Sequence, residues 1–210
     1  MSNLTRAEAQ AAVAALGWRY ILGTLRSTVA VRSLPEAAAV AAHCPDGPIS
    51  LDLRRDRVLL SIHDVGTAGV DLARRVTEAL RAAGLTTVPS RTQQLEIAID
   101  ALDIARLRPF WRAVLAYVDT PGGPDEYGAA LLDPLGVTPA VWFQHMDVPR
   151  PQRNRIHLDI SVPHEEAESR VAAALAAGGI LVSDTHAPAF WVLADAEGNE
   201  ACITTWQSRD

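Results

Sequence analysis

The sequence predicts an α+β fold in two parts: an N-terminal α-ββ-α-ββ-α antiparallel sheet unit over residues 1–85, then paired βαβββ modules over residues 93–210. Three observations lead there. Helix starts recur as Thr5-Arg6-Ala7-Glu8 and Ser33-Leu34-Pro35-Glu36, in which a hydroxyl and a glutamate three residues on satisfy each other's backbone N–H groups. Short β-branched runs fall in pairs between the helices, as hairpins do. Past residue 92 the order becomes strand, helix, strands, and that order then repeats.

In the first part, a helix runs from the Thr5 cap to about Gly17. Trp18–Arg32, with Tyr20, Ile21, Thr28, Val29 and Val31 around Gly23, reads as a hairpin. The second helix leaves Ser33 with Pro35 in its first turn, where a missing N–H costs least, and ends at His43. Strands follow at Ile49–Leu53 and Arg57–His63, joined by Arg54-Arg55-Asp56. The third helix covers about Ala68–Ala83, places Val70, Leu72, Ala73, Val76 and Leu80 on one face, and stops at Gly84. Four antiparallel strands under three helices bury all these faces. Thr86–Thr92, with Pro89, Ser90 and Arg91, lacks a core pattern and reads as a linker.

The second part opens with a strand at Leu95–Ala101 and a helix capped by Asp103 that holds Phe110 and Trp111. Pro109 lies inside that helix and predicts a kink. After the loop Asp119–Pro124 the clearest strand is Ala140–His145. The second module reads as strand Arg155–Val162, helix Glu165–Ala177, and strands Ile180–Ser183, Ala189–Leu193 and Ala201–Trp206.

Composition narrows the function. With 19 Lys+Arg against 25 Asp+Glu, the net charge is −6, and no basic block offers a nucleic-acid surface. The apolar runs are too short to span a bilayer, and Met1-Ser2-Asn3-Leu4-Thr5-Arg6 lacks a signal-peptide pattern, so a cytoplasmic location is expected. Cys44 and Cys202 stand far apart and make neither a disulfide framework nor a zinc knuckle. These exclusions leave a small molecule as the expected partner; a homo-oligomer stays open.

His43 closes a helix and His63 closes the second strand of the next hairpin, so the returning chain can bring both imidazoles to one sheet edge. Two imidazoles there can serve as acid and base at one centre. A histidine at a helix C-terminus is also favoured by the dipole alone.

The run Ala42-His43-Cys44-Pro45-Asp46, the strand pair, Ser61-Ile62-His63-Asp64-Val65-Gly66 and a helix carrying Asp71-Leu72-Ala73 resemble the pterin-4a-carbinolamine dehydratases. The resemblance covers about residues 4–84. It implies a hydro-lyase that dehydrates a 4a-hydroxytetrahydropterin to the quinonoid dihydropterin, with His43 and His63 as acid and base. It also implies pterin contacts from Cys44, Pro45 and Asp64. Cys44 stands where the family has a second histidine, and Ala39 where many members have an acid.

Residues 93–210 resemble the glyoxalase-like branch of the vicinal oxygen chelate superfamily. The matching stretches are Leu95-Glu96-Ile97-Ala98-Ile99-Asp100, Trp142-Phe143-Gln144, Arg155-Ile156-His157-Leu158-Asp159 and Asp195-Ala196-Glu197-Gly198-Asn199-Glu200. The resemblance implies a curled sheet cup. In metal-using members four strands each offer one ligand to a divalent ion; the matching positions here are Glu96, Gln144 (or His145 on the opposite face), His157 and Cys202. Cys202 replaces the usual glutamate, so no resident metal or other cofactor is expected, and these residues with Trp142 are expected to line a substrate cup instead. Three functions follow: a pterin dehydratase carrying a ligand-binding glyoxalase-like domain, a non-catalytic small-molecule binding protein, or a chelate-type enzyme acting in its C-terminal cup. The paired histidines favour the first.

Overall fold

The computed structural model describes residues 4–89, 92–120, 130–150, 152, 154 and 156–208. The chain divides into two compact units, Met1–Gln94 and Leu95–Asp210.

In the first unit, α1 (Arg6–Ala14) starts from a closed capping box: the Thr5 hydroxyl accepts from the Glu8 N–H, and the Glu8 carboxylate accepts from the Thr5 N–H at 2.8 Å. β1 (Arg19–Ile21) and β2 (Thr24–Ala30) form the expected hairpin. Leu22 and Gly23 both take positive φ, 46° and 71°, in a two-residue turn whose twist matches the strands it joins. At α2 (Leu34–His43) only half of the expected box forms. Ser33 Oγ accepts from the Glu36 N–H at 3.3 Å, but the Glu36 carboxylate turns to the Arg32 N–H, at 2.8 Å, because it also pairs with the Arg32 guanidinium.

β3 (Ile49–Leu53), β4 (Arg57–Ile62) and α3 (Thr67–Ala82) follow, then β5 (Thr87–Val88). The sheet has the order β1-β2-β4-β3, with β5 added to β2, and is antiparallel throughout. The expected linker is therefore partly sheet. Thr87 and Val88 pair with Val29 and Thr28, and Thr87 Oγ1 donates to Leu16 O at 2.7 Å. Two residues are too few for alternation to show in sequence. Ser90 and Arg91 lie outside the described residues. The helices cover one sheet face, where Leu25, Val29, Val58, Leu60 and Ile62 meet Val40, Leu72, Val76 and Leu80. Trp18 is sealed in this core because its indole N–H finds Thr77 Oγ1 at 2.9 Å.

The second unit holds two modules of one topology. In the first, β6 (Glu96–Ala101), α4 (Ile104–Leu115), β7 (Val118–Asp119), β8 (Leu131–Leu132) and β9 (Ala140–His145) give the order β6-β9-β8-β7. In the second, β10 (Leu158–Ser161), α5 (His164–Ala176), β11 (Ile180–Ser183), β12 (Phe190–Ala194) and β13 (Glu200–Thr204) give β10-β13-β12-β11. In each, the first and last strands pair in parallel. α4 runs on through Pro109. The loop read at Asp119–Pro124 passes outside the described residues at position 121, as does the strand start read at Arg155.

One core joins the modules: Phe110, Trp111 and Val114 of α4 pack in a single cluster with Val171 and Ala174 of α5 and with Leu193 and Ile203. Gly179 lets the Phe110 ring come close; a Cβ there would lie 2.4 Å from Phe110 Cδ2.

Asp195 is fully buried and is held by four donors. Its carboxylate accepts from the Trp111 indole at 2.9 Å, from the Glu197 and Asn199 backbone N–H groups at 2.9 Å each, and from Asn199 Nδ2 at 2.8 Å. Asp195→Ala leaves these donors buried without an acceptor, so it should lower unfolding free energy by about 3 kcal/mol or more. Chemical denaturation measures this; a loss under about 1 kcal/mol would show that the turn stands without its carboxylate.

Candidate functional site

In the first unit the register brings the two histidines to the same end of the sheet. His43 ends α2 shortly before β3, and β3 sets Ile49 opposite Ile62, so His63 falls beside the start of β3. Both imidazoles are exposed, and neither has a hydrogen-bond or ion-pair partner among the described residues. Cys44 is half-buried and packs on the core, and its burial pushes the thiol pKa up, keeping it neutral. A neutral thiol is a weak hydrogen-bonding substitute for an imidazole. Pro45 beside it is half-buried. Asp64 Oδ1 accepts from the Gly66 N–H at 2.8 Å, so this carboxylate shapes the turn after His63. That turn lies tight on α3: a Cβ at Gly69 would sit 1.7 Å from the Asp64 carbonyl oxygen.

The second unit carries a cleft of about 1090 Å³. Four successive residues of β6, Ile97 to Asp100, line it. A strand shows a ligand only alternate residues through one face. Four in a row means that the free edge of β6, opposite its partner β9, looks into the cleft with its backbone N–H and C=O groups. The first turn of α4, the loop before β10 and the turn into β13 supply the remaining walls, including Arg106, Arg150, His157, Glu197 and Glu200. The walls are tied together. The Glu197 carboxylate accepts from the Leu102 and Asp103 N–H groups at 2.8 to 3.1 Å, and Arg150 stands 3.6 Å from Asp100.

Beside the cleft, three possible metal donors meet. One ligand atom each from His157, Asp159 and Cys202 lies within 4.8 Å of the others. The β10–β13 register sets Asp159 directly opposite Cys202, and His157 precedes Asp159 by two, on the same face. His157 Nε2 and Asp159 Oδ1 are 3.3 Å apart, and Cys202 is 6% exposed. Two ligands of a tetrahedral zinc ion stand roughly 3.4 Å apart; the nitrogen and oxygen match that spacing, and the sulfur lies within 4.8 Å of both.

The other sequence-predicted residues fall elsewhere. Glu96 pairs with Ala140 and Gln144 with Asp100, so the two share a face but stand four residue steps, roughly 13 Å, apart along the strands. They do not form one chelate with each other. Trp142 pairs with Ala98 on the same face and is half-buried. Outside the predicted set, His164 opens α5 and meets Trp206 edge to face, and His186 stacks on Phe190. The sequence reading missed Asp159, an exposed acid on a strand; its signal was the two-residue spacing from His157.

Residues 96–204, more than half of the chain, match the family described as the glyoxalase-like domain. The chain belongs to this family. Among curated proteins no sequence matches it. Solved structures similar to this glyoxalase-like protein include the hypothetical protein SA1046 from S. aureus, at 14% identity and a TM-score of 0.44, covering 55% of this chain and 95% of that one. A glyoxalase/bleomycin resistance protein/dioxygenase family enzyme from Burkholderia phytofirmans PsJN is 17% identical with a TM-score of 0.41, covering 52% and 95%. The fosfomycin resistance protein FosX from Listeria monocytogenes is 12% identical with a TM-score of 0.42, covering 55% and 92%.

Proposed function

We propose that the glyoxalase-like unit binds a small molecule in its cleft and acts on it beside a zinc site built from His157, Asp159 and Cys202. The observation that carries this reading is that His157 belongs both to the cleft wall and to the donor trio. A ligand in the cleft thus lies next to the trio. Zinc held there would supply Lewis-acid polarisation of a substrate oxygen. The chain's own residues do the rest. The open β6 edge offers backbone donors and acceptors that orient a flat or extended molecule, and Arg106 offers a cation with no partner among the described residues. The Glu197 clamp on the start of α4 holds the two walls at fixed separation.

Zinc content after dialysis against the metal tests the site. The protein should hold about one equivalent, and His157→Ala and Cys202→Ala should each lose most of it, whereas Glu96→Ala and Gln144→Ala should keep it. Wild-type retention below about a tenth of an equivalent would remove zinc from the reading and leave a binding cleft.

A second reading, dehydration of a 4a-hydroxytetrahydropterin by the N-terminal unit, is favoured by one observation: two exposed imidazoles, unpartnered among the described residues, at the same end of one sheet. In it, one imidazole protonates the departing 4a-hydroxyl while the other takes a ring-nitrogen proton, and water leaves. His43→Ala and His63→Ala should then each slow the dehydration by roughly 100-fold or more. Wild-type protein no faster than buffer would sink this reading, as would two alanine variants both as fast as wild type.

A further inference from the structure

The sheet face of the first unit that turns away from the helices holds a pocket of about 480 Å³. Arg26 lines it, directly opposite Ser61 in the β2–β4 register, with Arg57 two pairs further along the same face. Arg26 is half-buried, and its guanidinium is incompletely satisfied. Nη2 donates to Gln94 Oε1 at 2.8 Å, whereas the Nε–H is closed off from solvent and has no partner among the described residues. A donor left in that condition costs stability and leaves the guanidinium short of the acceptors its charge calls for.

No carboxylate compensates the charge among the described residues. Asp56, the acid in the pocket, is held through both oxygens by Arg57 Nε, at 3.1 and 3.2 Å. Burial lowers the Arg26 pKa, as expected for a cation that has lost water and gained no counter-charge. Two further groups in the pocket, the Ser61 hydroxyl and the Gln93 amide, have no partner among the described residues. Two guanidinium groups against one engaged carboxylate leave the pocket positive. Its spare groups include a charged donor, a hydroxyl and an amide.

We propose that this pocket binds the oxyanion of a small carboxylate or phosphate compound, with the Arg26 guanidinium and Ser61 Oγ–H as the donors. An oxyanion is the ligand class that offers only acceptors and carries the missing charge, and guanidinium forks match its geometry. The site depends on neither reading above: it uses neither the cleft nor the histidines.

Calorimetric titration of the full chain with inorganic phosphate, and separately with acetate, tests the proposal. Saturable binding at one site per chain is expected; the tighter of the two ions identifies phosphate or carboxylate as the native group. Arg26→Gln should weaken it at least about tenfold and Ser61→Ala about threefold, while Arg55→Gln, an exposed residue outside the pocket, should leave it unchanged. Absence of saturable binding by both ions overturns the proposal, as does wild-type affinity in Arg26→Gln. If circular dichroism shows that Arg26→Gln does not fold, Ser61→Ala decides, and wild-type affinity there is the overturning result.

Discussion

The second unit depends on one buried carboxylate. Asp195 sits in the turn between β12 and β13, yet one of its donors, the Trp111 indole, belongs to the helix of the other module. A turn of five residues would ordinarily close on itself, with no partner in the other module. Here the same carboxylate that closes the turn also reaches into the shared core, where Trp111 is 2% exposed. The polar interaction is worth having only because it is complete: four donors meet a charge that would otherwise be costly to bury. Glu197, two residues on, then caps the chain entering α4 from the same turn. Apolar packing brings the modules together, and this hydrogen-bonded turn sets their register.

That register is what makes a cleft. Each module has its first strand, β6 or β10, on a sheet edge. Residues from β6 and from the starts of β10 and β13 line the same cavity, so the walls come from both modules. An unpaired strand edge is normally a liability, because its free backbone groups invite pairing with another chain. Placed on a cleft lined by charged residues, those groups are instead available to the small molecule proposed above. The two functions of the turn therefore coincide: what fixes the packing also fixes the distance across the site.

Much of this was legible in the sequence, and the failures have definite causes. The helix starts were readable because capping is local: Thr5 and Glu8 need only each other. The doubled βαβββ order was readable because each helix and strand is long enough to show its period. β5 was not, since Thr87 and Val88 owe their strand conformation to β2, far away in the chain. Glu36 chose Arg32 over its own cap because a cation one residue earlier competed for the carboxylate. In the site, matching positions on each strand identified His157 and Cys202, but strand register decides which residues stand level with each other. Register is a property of pairing, so the separation of Glu96 from Gln144 and the alignment of Asp159 with Cys202 became visible only in three dimensions.

Cys202 in place of a carboxylate bears on more than ligand count. A carboxylate, imidazole and carbonyl set suits hard or intermediate ions, and several divalent metals can share it. A thiolate narrows the choice toward softer ions, with zinc the common one that needs no redox control. Cys202 is also buried, on the strand whose opposite face carries Ala201 and Ile203 in the core. A thiol in such surroundings is costly to ionise without a cation close by. A coordinating thiol is deprotonated outright, so a divalent cation held as proposed would meet Cys202 as its thiolate. Zinc affinity at the proposed trio should therefore be coupled to proton release from the thiol, a coupling that a glutamate at position 202 would lack.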